Sequence, residues 1–180
     1  MADAAAARSA LRRALAPCVA QLGTPLEWIA EDMLGDEDGV IDWVAAAPDG
    51  RAVVVLVANG PGDAALLEAG LVQRAWVAAR IADWRKLAPD LVLRAELPPR
   101  VLLIARDFAR STRIAAREVA GVEIWLARWS AAPGTGRVEI ARVDAEPTVA
   151  GTVEAPPARR PASPFRTGLR EVDFASGIAT

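Results

Sequence analysis

The sequence predicts an α/β fold, a central mixed sheet flanked by helices, on three observations. Two β-rich runs, Val40–Ala46 and Arg51–Ala58, are separated by the turn Pro48-Asp49-Gly50. Within the second, Val53 to Val57 is continuously β-branched or leucine, the pattern of a strand buried on both faces. The later strands are separated by helical stretches, which supply the crossovers of a partly parallel sheet.

The elements follow in order. Leu11, Leu15, Val19 and Leu22 share one helical face, with Ser9 as a capping residue and Gly23 as a stop. Pro17 inside that run implies a kink, or a helix that starts nearer Ala16. For Leu26–Leu34 the spacing of Leu26, Ile29, Met33 and Leu34 favours helix over strand. Residues 35–39 then form a turn. After the two strands, Asn59-Gly60-Pro61-Gly62 breaks the chain, and one long helix runs from Ala64 to about Leu87 with Asp63 as N-cap. Its packed stripe is expected at Leu67, Leu71, Ala75, Ala78 and Ala82, flanked by Trp76 and Trp84. Pro98-Pro99 leads into a buried strand, Arg100–Ala105. Ser111 and Thr112 start a helix that continues to Val119, and Gly121 ends it. Val122–Trp129 is a further strand, residues 133–136 turn the chain, and Arg137–Val143 is an edge strand. Residues 1–146 read as one domain. Residues 147–180, rich in proline and small residues, read as an extended or partly disordered tail in which Phe165, Leu169, Val172 and Phe174 are available to dock.

Composition narrows the chemistry. The chain has 180 residues, 53% hydrophobic and 24% charged, enough for one domain with a real core. Its net charge of −2 gives no global field for nucleic acid or anionic membrane. There is no histidine, and the single cysteine is Cys18, so imidazole catalysis, Cys/His zinc sites and an internal disulfide all drop out. Carboxylates with water or Mg²⁺ are the main chemistry left. No apolar run approaches the length of a membrane helix, the N-terminus is unlike a signal peptide, and the cytoplasm is the expected compartment.

The segment Gly39-Val40-Ile41-Asp42, the turn Asp49-Gly50 and the valine-rich strand after it carry a resemblance. So does Leu102-Leu103-Ile104-Ala105-Arg106-Asp107-Phe108 with the short helix that follows. In order and spacing, Gly39 to about Trp129 resembles the PD-(D/E)xK, or restriction-endonuclease-like, superfamily, and more narrowly its RecB/NucS-type endonuclease domain. The resemblance implies a restriction-endonuclease-like fold. It also implies that Asp42 matches one metal ligand, while the family's Glu-x-Lys pair falls on Leu56 and Ala58. Neither side chain can hold a metal or position water, so the motif is degenerate and Asp42 is a remnant. The family's Gln-x-x-x-Tyr helix motif is not intact either: Val77 stands four residues after Gln73, and Trp76 falls one place early. Gln73 is therefore expected on the polar surface.

Relocated acids are the alternative source of a metal site. Glu27, Glu31 and Asp32 precede Asp42, and Asp63 and Glu68 flank the start of the long helix. Arg51 or Arg74 would stand in for the lysine, but only to orient phosphate, because arginine does not readily deprotonate. Each of these groups also reads simply as a helix face, a cap or a solvated charge.

Two surfaces remain. Arg110, Arg113 and Arg117 share a helical face, and with Arg106 they form the local candidate for phosphate contact. The six tryptophans, Trp28, Trp43, Trp76, Trp84, Trp125 and Trp129, serve as core filler in an alanine-rich chain, as stacking surface or as a homodimer interface. Of these, Trp76, Trp84, Trp125 and Trp129 are the interface candidates.

The sequence thus predicts a catalytically inactive nuclease-like domain with an assembly or binding role. A homodimer or an unidentified protein is its expected partner, with no membrane and no cofactor. The alternatives are a Mg²⁺-dependent DNA endonuclease with relocated acids and a non-catalytic nucleic-acid-binding module.

Overall fold

A computed structural model describes residues 2–36, 39–131, 137–143 and 165–166. The chain forms helix α1 (Ala2–Leu15), a 3-10 helix (Ala16–Leu22), and strands β1 (Glu27–Leu34), β2 (Val40–Ala46) and β3 (Ala52–Val57). Helices α2 (Ala64–Ala79) and α3 (Ile81–Leu87), strand β4 (Arg100–Ala105), helix α4 (Arg110–Glu118), and strands β5 (Ile124–Ala131), β6 (Val138–Arg142) and β7 (Phe165–Arg166) follow. This is an α/β fold around a mixed seven-stranded sheet of order β6-β5-β4-β3-β2-β1-β7. β1, β2 and β3 pair antiparallel, β3, β4 and β5 parallel, and β6 closes antiparallel on β5.

The valine run does what its composition requires. All six residues of β3 are buried. Val53, Val55 and Val57 join Leu15, Val19, Trp43 and Trp129 in one apolar cluster, and Val54 and Leu56 join Leu67, Trp76, Trp84 and Leu103 in the other. The first cluster lies under α1 and the 3-10 helix, and the second under α2, α3 and α4. Trp125 and Trp129, four apart on β5, share the first.

Three expectations are corrected. Leu26–Leu34 is not helical, because Glu27–Leu34 is strand β1. A register shift between Trp28 and Ala30 and a left-handed residue, Asp32 at φ 59°, interrupt its alternation. The buried residues therefore fall at Ile29, Ala30 and Met33, a spacing that imitates a helix. The long helix 64–87 is two helices, broken at Arg80 (φ −112°, ψ 19°). Its buried stripe is Leu67, Gly70, Gln73, Trp76 and Val77, not the alanine row. Finally, Ser9 lies inside α1 rather than at its start, and Pro17 marks a change to 3-10 geometry that ends at Gly23 (φ 79°). Asp63 caps α2 as expected, accepting from the Leu66 amide at 3.0 Å.

The turn expected at 133–136 and nearly all of the 147–180 tail lie outside the described residues. Phe165 and Arg166 pair with Ala30 and Glu31 on the outer edge of β1. Among the described residues, no helix is long and apolar enough to cross a membrane.

Candidate functional site

Asp42 stands where the β2–β3 ladder ends. The last paired residues are Trp43 and Val55. One step beyond, the amide of Val57 donates to Asp42 Oδ2 at 2.6 Å instead of to a β2 carbonyl. The Asp42 side chain has no solvent exposure. A buried carboxylate without cationic partners would be strongly unfavourable, and α1 supplies two. Arg8 approaches bidentately, Nε on Oδ1 at 2.8 Å and Nη2 on Oδ2 at 2.7 Å. Arg12 Nε lies 3.6 Å from Oδ1. Arg12 Nη2 also reaches Ser9 Oγ at 3.0 Å and the carboxylate of Asp32. Asp32 sits beside Asp42 across the β1–β2 ladder, in the stretch where β1 takes its left-handed residue.

The result is a closed cluster of two guanidinium groups and two carboxylates. The hydrogen bonds to Asp42 raise the Arg8 pKa above its ordinary value, against the burial that lowers it, and attraction to Asp42 and Asp32 adds to the rise. Arg8 and Arg12 escaped the sequence reading although a signal was present. With Leu11 and Leu15 they fall on one helical stripe, and a cation on a buried stripe requires a buried acid.

Leu56 and Ala58 do not converge with Asp42. Both pack in the cluster on the α2 side of the sheet, whereas the Asp42 carboxylate meets the arginines of α1 on the other. The β3 residues in the cluster on the Asp42 side are Val55 and Val57. At either register, β3 brings no carboxylate or lysine toward Asp42. A divalent metal does not fit this arrangement, because both carboxylate oxygens already accept hydrogen bonds and two guanidiniums supply the compensating charge. Among the described residues no group of three or more His, Cys, Asp or Glu side chains could hold a metal ion.

The other candidate acids and bases have local partners or lie apart. Asp63 is the α2 cap. Glu68 is exposed on α2, and Glu27 and Glu31 lie on β1. Arg74 donates to the Pro99 carbonyl at 2.9 Å. Arg51 joins Asp49 and Glu123 in a network with Arg100, whose buried guanidinium reaches Glu123 at 2.9 Å and Asp49 at 3.2 Å. Arg100 also stacks at 4.0 Å on Trp125, whose indole N–H donates to Glu123 at 2.8 Å. This network pins the β2–β3 turn to the start of β4.

Gln73 is corrected outright. It is 2% exposed, not a surface residue. Its Oε1 accepts from the Asp36 amide at 3.0 Å, and its Nε2 donates to the Asp36 carbonyl at 2.9 Å. A Cβ on Gly35 or Gly39 would lie 1.8 or 2.3 Å from the Gln73 amide group, so these glycines admit the clamp that fixes the entry to β2.

The four tryptophans proposed as an interface are buried within the chain: Trp76, Trp84, Trp125 and Trp129 are all 6% exposed or less. Trp76 and Trp84 meet edge to face, with ring centroids 6.1 Å apart. The arginine patch is divided. Arg110, Arg113 and Arg117 are exposed on α4, which packs on the α2 side through Ala116. Arg106 instead lies 4.6 Å above Trp129, a residue of the α1-side cluster, and donates to the Asn59 carbonyl at 3.1 Å.

No family model matches the chain, and no curated protein matches it. Two solved structures are similar to it. One is a repair endonuclease from Pyrococcus abyssi, at 15% identity over 55% of this chain and 37% of that one, with a TM-score of 0.33. The other is EndoMS in complex with double-stranded DNA, at 15% identity over 55% of this chain and 35% of the other, with a TM-score of 0.32. The chain thus spans little more than a third of either protein.

Proposed function

We propose that this chain is a catalytically inactive, nuclease-like domain that works by assembly or binding. One observation carries the reading: the carboxylate at the position of the resemblance's metal ligand is sealed. Asp42 has no exposure, it is bidentately paired to Arg8, and the β3 residues on its side are the valines Val55 and Val57. The strand–turn–strand–helix–strand order supports the nuclease-like part of the proposal.

The test is cleavage of single-stranded, double-stranded and branched DNA by the full chain with Mg²⁺ or Mn²⁺. No cleavage is expected. Metal-dependent cleavage that disappears in Asp42→Asn, with the variant still folded, would overturn the reading in favour of an endonuclease with relocated acids. A second reading, nucleic-acid binding without chemistry, rests on the exposed face of Arg110, Arg113 and Arg117. Under that reading, the triple change of these arginines to alanine abolishes salt-sensitive DNA binding.

A further inference from the structure

We propose that α1 is a latch: it lifts from the sheet as a unit, while the 3-10 helix and the sheet remain folded, and its catch is the Arg8–Asp42–Arg12–Asp32 cluster.

Among the described side chains of α1, the sheet-facing stripe is Arg8, Leu11, Arg12 and Leu15, and of its two apolar members Leu15 is the fully buried one. Ala7, Ala10, Arg13 and Ala14 face solvent. Two of these four described positions are therefore ionic, where the sheet-facing stripe of a helix is usually apolar. The 3-10 helix is fastened separately. It buries Cys18, Val19 and Leu22, Cys18 Sγ donates to the Val138 carbonyl at 3.2 Å, and Gln21 Oε1 accepts from the Ile140 amide at 3.4 Å. Exposed Pro17 stands between the two parts, and without an amide hydrogen it removes one donor from the junction.

The catch is incompletely satisfied. Buried Arg12 Nε pairs with Asp42 only at 3.6 Å and makes no hydrogen bond, and buried Nη1 has no hydrogen-bond partner. Asp32, held by Arg12, is the described non-glycine residue at positive φ. Opening returns these groups to water and frees β1 to relax at Asp32. The cost of desolvating the ions is recovered at the same time, which lowers the free energy of opening α1 below that of global unfolding. What opening uncovers is the Asp42 carboxylate beside Trp43, Val55 and Val57. This mechanism stands whether or not the nuclease-like reading holds.

Amide hydrogen exchange on the unmodified full chain tests it. The amides from Arg12 to Leu15 should exchange at one common rate, about 100-fold or more faster than Leu102–Ile104 of β4, and with little dependence on low urea concentrations. Equal rates and equal urea dependence for α1 and β4 would overturn the latch, because α1 would then open only by global unfolding. Rates graded smoothly from Arg8 to Leu15 would overturn it too, since that is fraying. Arg8→Ala, at a half-exposed position, should speed α1 exchange by about tenfold. An unchanged α1 rate in that variant would mean that the arginine cluster is not the catch.

Discussion

Arg8 and Asp42 meet edge to edge, two nitrogens on two oxygens at 2.8 and 2.7 Å, although 34 residues separate them. The contact ties the first helix to the second strand of the sheet at the point where the β2–β3 ladder stops.

Asp42→Asn removes the charge but keeps the shape. It leaves Arg8 and buried Arg12, whose side chain is 8% exposed, facing a neutral amide, with Asp32 as the remaining carboxylate of the cluster. A loss of about 3–5 kcal/mol is expected in urea unfolding, the range for breaking one side of a buried pair. A loss below about 1 kcal/mol would mean that the ions contribute as little as a surface pair.

Leu56→Ala should cost about 2–5 kcal/mol, because the side chain is 3% exposed and packs toward Gly70 of α2. Leu56→Glu together with Ala58→Lys should restore no Mn²⁺ affinity, since both positions lie on the sheet face away from the Asp42 carboxylate. Tight Mn²⁺ binding by the folded double variant would contradict that placement.

Gly39→Ala should destabilise by about 1–3 kcal/mol through overpacking against Gln73. In a Gln73→Ala background the same change should cost much less, a coupling that a double-mutant cycle reads directly. Additive effects would show that the glycine serves its backbone conformation and not the clamp.

Burial raises the Cys18 thiol above its ordinary pKa, more than nearby Arg137 lowers it, with Glu139 adding to the rise. The folded state therefore keeps its proton to higher pH than the unfolded chain. The unfolded thiol ionises first, at about pH 8.5, so stability falls as pH rises from there toward the folded value. Compared with Cys18→Ser, the native chain should lose more stability between about pH 8 and pH 10. Parallel pH profiles for the two would remove the thiol as the cause.

Much of the fold was legible because strong local signals and tertiary demands agree. The β3 valines, the Pro48-Asp49-Gly50 turn, the Asp63 cap and the β4 run each satisfy a local rule that the sheet also needs. β1 was misread because a bulge and one left-handed aspartate rephase its side chains, and a period of two cannot survive that. The helix break at Arg80 has no glycine or proline to announce it. For the site, sequence order led to Asp42 but not to its partners. Arg8 and Arg12 lie on an alanine-rich helix, and only the β1–β2 pairing brings Asp32 and Asp42 beneath them. Gln73 was hidden for the same reason: its ligand is the backbone of a turn 37 positions earlier, and backbone atoms leave no signature in a sequence.

Both margins of the sheet are partly covered by the chain's own segments. At β6, the outward carbonyl of Val138 and the outward amide of Ile140 are taken by Cys18 and Gln21, and at β1 the outer ladder is shared with Phe165 and Arg166. A chain this rich in valine and alanine has the composition of a fibril former once a ladder is open to a neighbour. Alkylating Cys18 or deleting the segment around Phe165 would bare one of those templates. Its first sign in a concentrated solution would then be thioflavin-positive aggregation, well before any loss of the folded core.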